Sequence, residues 1–196
     1  MWGFRQTGAT SYNYLMLYTG KGDNEITGLF GDEERITKSS AISEALGTVD
    51  EINSLLGLVK MEDVTTNSVL GLSYHDLLSD VQQDLFVVQA ELAGADKKMD
   101  VARVKKIEAW IATIEEELPP ITSFFVSGGT KLGAMCDFAR TGARRAERRV
   151  VGTLEIVDPT NKPPLFQYMN RLSSLLYALA HLTNHRAGVT EEKPHY

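Results

Sequence analysis

The 196-residue sequence has one cysteine, Cys136, so no disulfide forms within the chain and a cross-linked scaffold is excluded. Prolines number six, and five of them sit at 119–120 and 159–164. Long intervening stretches are therefore free to stay helical. No apolar run approaches the roughly 20 residues needed to span a bilayer. The opening segment, MWGFRQTGATSYNYLML, has one Arg and no sustained apolar stretch, so it does not read as a secretory signal. With the lone thiol, these absences lead to the expectation of a cytoplasmic protein without a membrane partner.

The net charge of −6 argues against binding nucleic acid over the whole surface. Positive charge is nevertheless concentrated: five of the 20 Lys and Arg residues fall between Arg140 and Arg149. A local basic patch on an acidic chain suits a compact anion better than a long polyanion.

Apolar periodicity organises the rest. Ala45, Val49, Ile52, Leu56 and Val59 form one stripe in 41–60. Leu78, Val81, Leu85, Val88 and Leu92 do so in 74–93, and Val104, Ile107, Ile111, Ile114 and Leu118 in 101–118. Pro119-Pro120 stops the third helix, and the turn-rich PPITSFFVSGGTK leads to a fourth at 131–156. VDPTNKPP breaks that helix before a fifth at 165–187, whose apolar side holds Leu172, Leu175, Leu176, Leu179 and Leu182. Five helices and no convincing alternating strand predict an all-α, up-and-down helical bundle. The expected division is an N-terminal arm at 1–18, one bundle domain at 19–187 and a tail at 188–196.

A helical projection gathers Arg140, Arg144, Glu147 and Arg148 on one face, beside an apolar edge of Ala139, Ala143, Ala146 and Val150. Arg145 and Arg149 point elsewhere. Guanidinium groups suit phosphate because their planar fork donates two parallel hydrogen bonds and stays charged. The same pattern also fits a solvated basic face with intrahelical Glu–Arg pairs. The loop TGKGDNEITGLFG holds four glycines whose backbone could approach phosphates, but it has no Walker A spacing and precedes no βαβ unit. Asn170, Ser174, Tyr177 and His181 line one side of the last helix, as a site wall or a subunit contact. His181 and His185 have metal-ligand spacing, yet no third ligand accompanies them and no helix carries the ferritin-like Glu-x-x-His signature. Metal-ligating residues are accordingly not assigned.

TGKGDNEIT, KSSAISEALGTVDEINSLLG, FFVSGGTKLG, ARTGARRAERRVV and YMNRLSSLLYALA, in this order, resemble the trimeric five-helix-bundle ATP:cob(I)alamin adenosyltransferases of the propanediol-utilisation type. The resemblance runs from about Thr19 to His185. It implies transfer of the 5′-deoxyadenosyl group of ATP to the cobalt of a reduced corrinoid, giving adenosylcobalamin and triphosphate. It implies ATP with Mg²⁺, cob(I)alamin as substrate, and ATP sites between the subunits of a homotrimer. A reductase and an adenosylcobalamin-dependent acceptor enzyme become candidate partners. Thr19, Gly20, Lys21, Gly22, Thr27, Gly28 and Lys38 correspond to the N-terminal ATP-binding segment. Arg144, Arg145, Glu147 and Arg148 correspond to the second such segment, and Asn170 to a further nucleotide contact. Asp50 and Arg140 match a salt-bridged pair at the active site. Phe124 matches the aromatic that covers the lower face of the corrin and keeps dimethylbenzimidazole off the cobalt. Two positions depart from the family pattern: Glu25 stands where glycine is common, and Ser127 where some members have proline.

Overall fold

The computed structural model describes residues 18, 20, 22–29, 35–62, 68–153 and 163–195. Most of the expected arm, together with Thr19 and Lys21, lies outside the described residues. Five helices form where the stripes predict them: α1 (Ala41–Glu62), α2 (Tyr74–Leu92), α3 (Val101–Glu117), α4 (Lys131–Val151) and α5 (Pro164–Arg186). The fourth ends before its predicted limit of 156, at Gly152, whose N–H caps the carbonyls of Arg148 and Val150. Side-chain caps set three of the starts. Ser73, Asp100 and Thr130 accept from the backbone N–H of Asp76, Arg103 and Gly133, satisfying donors that the first helical turn leaves unpaired.

The direction of each helix follows from its cross-links. Lys60 bonds Ser79 and Gln82 bonds the Asn53 carbonyl, so α1 and α2 are antiparallel. Glu62–Lys131 and Glu51–Arg145 give the same relation for α1 and α4. Glu108–Arg171 and Glu117–Arg186 run in step, so α3 and α5 are parallel. The topology is up-down-up-down-up, as predicted. Every residue of the α5 leucine stripe and all four small residues of the α4 edge are buried. Alanines at 139, 143 and 146 let α4 pack closely against its neighbours, while the arginines beside them remain at the rim.

Two short hairpins were not foreseen. β1 (Ile26–Gly28) pairs antiparallel with β2 (Arg35–Thr37), and β3 (Ser68–Val69) with β4 (Leu72–Ser73). The second turns through Leu70 and Gly71, both at positive φ. Strands of two or three residues are too short to show an alternating pattern.

Buried polar links tie α2, α3 and α5. The fully buried Asp84 carboxylate receives Arg103, Lys106 and the Tyr168 hydroxyl. Burial, followed by the neighbouring Asp84 charge, raises the Tyr168 hydroxyl well above its ordinary pKa.

Candidate functional site

The five arginines of α4 have three different environments. Arg145 pairs with Glu51, and Arg149 lies 3.9 Å from Glu44, so both belong to the α1 side of the helix. Arg140 donates from Nε to Asp137, one turn back, at 2.8 Å, and its guanidinium lies 5.8 Å from the centre of the Tyr177 ring. Arg144 and Arg148 are exposed and make no hydrogen bond or ion pair among the described residues. Glu147, between them, accepts from Asn170 of α5 at 2.9 Å. The projection therefore separated the faces correctly. It did not supply the partners: those of Arg145, Arg149 and Glu147 lie on other helices, and that of Arg140, Asp137, lies one turn back on α4.

The polar side of α5 is the opposite wall. Asn170 and Tyr177 face Glu147 and Arg140 across the antiparallel α4–α5 seam. Burial pushes the Tyr177 hydroxyl above its usual value, with Glu191 and Asp137 adding to the effect and Arg140 opposing it. His181, expected in a site wall or a subunit contact, is buried within the chain, with its ring edge-on to Tyr177 at 4.1 Å and to Phe125 at 5.2 Å. Its Nδ1 bonds Glu191, whereas His185 is exposed.

The glycine loop folds back through the first hairpin. Thr27 pairs in register with Ile36, and the Lys38 N–H donates to the Glu25 carbonyl at 3.0 Å. A Cβ on Gly22 would lie 3.2 Å from Lys38 Nζ, so the lysine amine rests directly on this glycine. Gly20 has φ of 67°, and Glu25 takes φ of 63°. Glu25, which the resemblance sets where glycine is expected, thus stands in a left-handed conformation that costs a residue with a side chain roughly 1 kcal/mol. Gly28 sits half-buried at the end of β1. This hairpin leads into the N-terminus of α1, where Ser40 receives the Ser43 N–H. Glu44 in the same turn of α1 approaches Arg149. The glycine loop and the C-terminal half of α4 consequently occupy the same end of the bundle.

Phe124 is at the other end. It is 77% exposed, in the segment joining α3 to α4. At 1.5 Å of rise per residue, Arg144 lies about 20 Å along α4 from the helix start.

One expected pair is absent within the chain. Arg140 is bonded to Asp137, and no ion pair joins it to Asp50 among the described residues. The Asp50 carboxylate is exposed on α1, facing a cleft of about 850 Å³ between α1 and α2 that Phe86 and Gln89 also line. Asp137 was missed in the sequence, although its i,i+3 spacing to Arg140 was a usable signal. Asn184 and Glu191 were missed as well, and nothing in their local pattern marks them. Among the described residues no group of three or more His, Cys, Asp or Glu could enclose a metal ion. Mg²⁺ commonly needs only one or two protein carboxylates when phosphates complete its shell. Glu147, on the arginine face, meets that requirement.

A helical bundle with two guanidinium groups on one rim that have no partner among the described residues, a glycine hairpin at the same end and an aromatic loop at the other has the build of an anion-binding helical protein. The chain belongs to the cobalamin adenosyltransferase family, whose pattern it matches over residues 17–183. It is 36% identical over 171 residues to a cobalamin adenosyltransferase of Cupriavidus metallidurans, covering 87% of this chain and 89% of that one. Against a corrinoid adenosyltransferase of Bacillus subtilis the identity is 34% over 182 residues, with 89% and 90% covered. The fold is similar to that of a variant PduO-type ATP:corrinoid adenosyltransferase from Lactobacillus reuteri complexed with cobalamin and ATP. That similarity has a TM-score of 0.78 at 27% identity, covering 92% of this chain and all of the other. No helix among the described residues is long and apolar enough to cross a membrane.

Proposed function

We propose that this protein transfers the 5′-deoxyadenosyl group of ATP to the cobalt of a reduced corrinoid, with Arg144 and Arg148 holding the triphosphate. The observation that carries the assignment is that neither has a partner among the described residues, while the other three arginines of α4 are paired. Exposed like charges on adjacent turns repel one another, and a polyanion offsets that repulsion. Gly20, Gly22, Thr27, Gly28 and Lys38 supply backbone and amine donors from the glycine hairpin, and Asn170 steadies Glu147. Thr19 and Lys21 are assigned to the same grip on the resemblance alone.

The reaction forms a Co–C5′ bond as the C5′–O bond to triphosphate breaks, with the electron pair supplied by Co(I) and triphosphate leaving. No protein nucleophile or base is required. The protein's contribution is to align C5′ with cobalt and to stabilise charge growing on the leaving group. Mg²⁺ would share in neutralising that charge, beside Glu147. Phe124, at the far end of the bundle, covers the corrin's lower face and keeps the nucleotide base off the cobalt. Co(II) without a lower ligand accepts an electron more readily. Arg144→Ala should leave the thermal transition unchanged and nearly abolish turnover; near-normal activity would refute the triphosphate assignment.

Asp50 and Arg140 lie on different faces of one chain, so their pairing is assigned to contact between subunits. This supports a homotrimer in which α4 of one copy completes the site on α1 of the next. Heterologous contacts of this kind close into rings. Sedimentation equilibrium should return the mass of three chains, and a 21.7-kDa monomer that retains full activity would contradict a shared site. A cytoplasmic setting, a separate reductase and an acceptor enzyme for the product fit this activity. A corrinoid carrier is the alternative, but a carrier has no use for a triphosphate grip.

A further inference from the structure

The segment carrying Phe124 is held from behind by residues beyond the 17–183 span of the family match. Asn184, buried in the last turn of α5, uses all four of its amide positions. Its Oδ1 accepts from the backbone N–H and the hydroxyl of Thr130, each at 2.9 Å. Its Nδ2 donates to the Gly128 carbonyl at 3.0 Å and to Glu191 Oε1 at 2.7 Å. The second carboxylate oxygen of Glu191 bonds His181 Nδ1. A carboxylate only accepts, so Nδ1 carries the proton and the imidazole is fixed in one orientation. That ring in turn packs edge-on against Phe125. One residue further on, the Glu192 carbonyl accepts from the Val126 N–H at 2.8 Å.

The backbone is adapted to this clamp. A Cβ on Gly129 or Gly133 would fall 2.6 Å or 2.4 Å from Asn184 Oδ1, so only glycine admits the asparagine at either place. Gly129 also has φ of 90°. Phe125, Val126, Gly128 and Thr130 are each tied down, while the Phe124 ring stands out into solvent. Its direction is thus set by the backbone that follows it rather than by packing of its own ring.

We propose that Glu191 is a positioning residue for the transfer reaction: by joining His181 to Asn184 it fixes the 124–130 loop and aims Phe124 at the corrin. The inference rests on the role assigned to Phe124 above, and the test separates the two. Cob(II)alamin bound to the full chain with ATP is examined by electron paramagnetic resonance, where splitting from the dimethylbenzimidazole nitrogen reports whether the lower base is still on cobalt. Glu191→Ala should give about tenfold less base-displaced species, the scale of one charge-assisted hydrogen bond. ATP affinity and turnover from pre-reduced cob(I)alamin should stay near wild type. Glu191→Gln, which keeps one carbonyl for two donors, should fall between, and it carries the test if the alanine variant does not fold. Wild-type displacement in both variants, with loss in Phe124→Ala, would overturn the positioning role and leave that of Phe124 intact. Equal losses from Co(II) and Co(I) substrates would also overturn it. If Phe124→Ala itself keeps full displacement, the role of Phe124 fails and that of Glu191 falls with it.

Discussion

At the scale of residues, function is divided among side chains of one type by what pairs with them. Arg145, which the resemblance also places in the nucleotide site, and Arg149 are paired with acids of α1, and Arg140 with Asp137, and the triphosphate role proposed above falls to Arg144 and Arg148, which have no partner among the described residues. Phe124 presents a similar contrast with its neighbour: Phe125 packs on His181 while Phe124 is exposed. Phe124→Ala should therefore slow the reaction far more from cob(II)alamin than from chemically reduced cob(I)alamin, because only the first substrate needs its lower base displaced. Steady-state rates from the two forms decide this, and equal losses would count against a lower-face role. The division of the arginines into faces could be read from the 100° step of a helix. The pairings across helices could not, because Glu51 and Arg145 are 94 residues apart. The Asp50–Arg140 pair inferred from resemblance is absent within one chain, where Arg140 bonds Asp137 instead.

At the scale of elements, the helices were legible because each carries one apolar stripe, and the residues of those stripes line the core. Pro119-Pro120 supplied one stop, whereas the fourth helix ends at Gly152, short of the VDPTNKPP break that the sequence suggested. Less visible were features that leave no period. The β1–β2 hairpin is too short to alternate, yet it brings Lys38 onto Gly22 and makes the glycine loop a formed structure. Asp84 sits beside Leu85 in a helix read for its leucines, and nothing local announces that it is buried with Arg103, Lys106 and Tyr168 around it. A buried carboxylate is tolerable only when so satisfied. The network also fixes how α3 lies against α2, a choice that hydrophobic stripes alone leave open.

At the scale of the whole molecule, the bundle separates two tasks along one axis. The glycine hairpin and the unpaired arginines share one end, and the Phe124 loop with its clamp occupies the other. The cleft beside Asp50 lies between α1 and α2. The account stands on a net transfer, not on binding alone. The deciding measurement is incubation of the purified chain with ATP, Mg²⁺ and reduced cobalamin under anaerobic conditions. The account predicts conversion to the light-sensitive spectrum of adenosylcobalamin with equimolar release of tripolyphosphate. Tight binding of ready-made adenosylcobalamin without any such conversion would contradict it and place the protein among carriers.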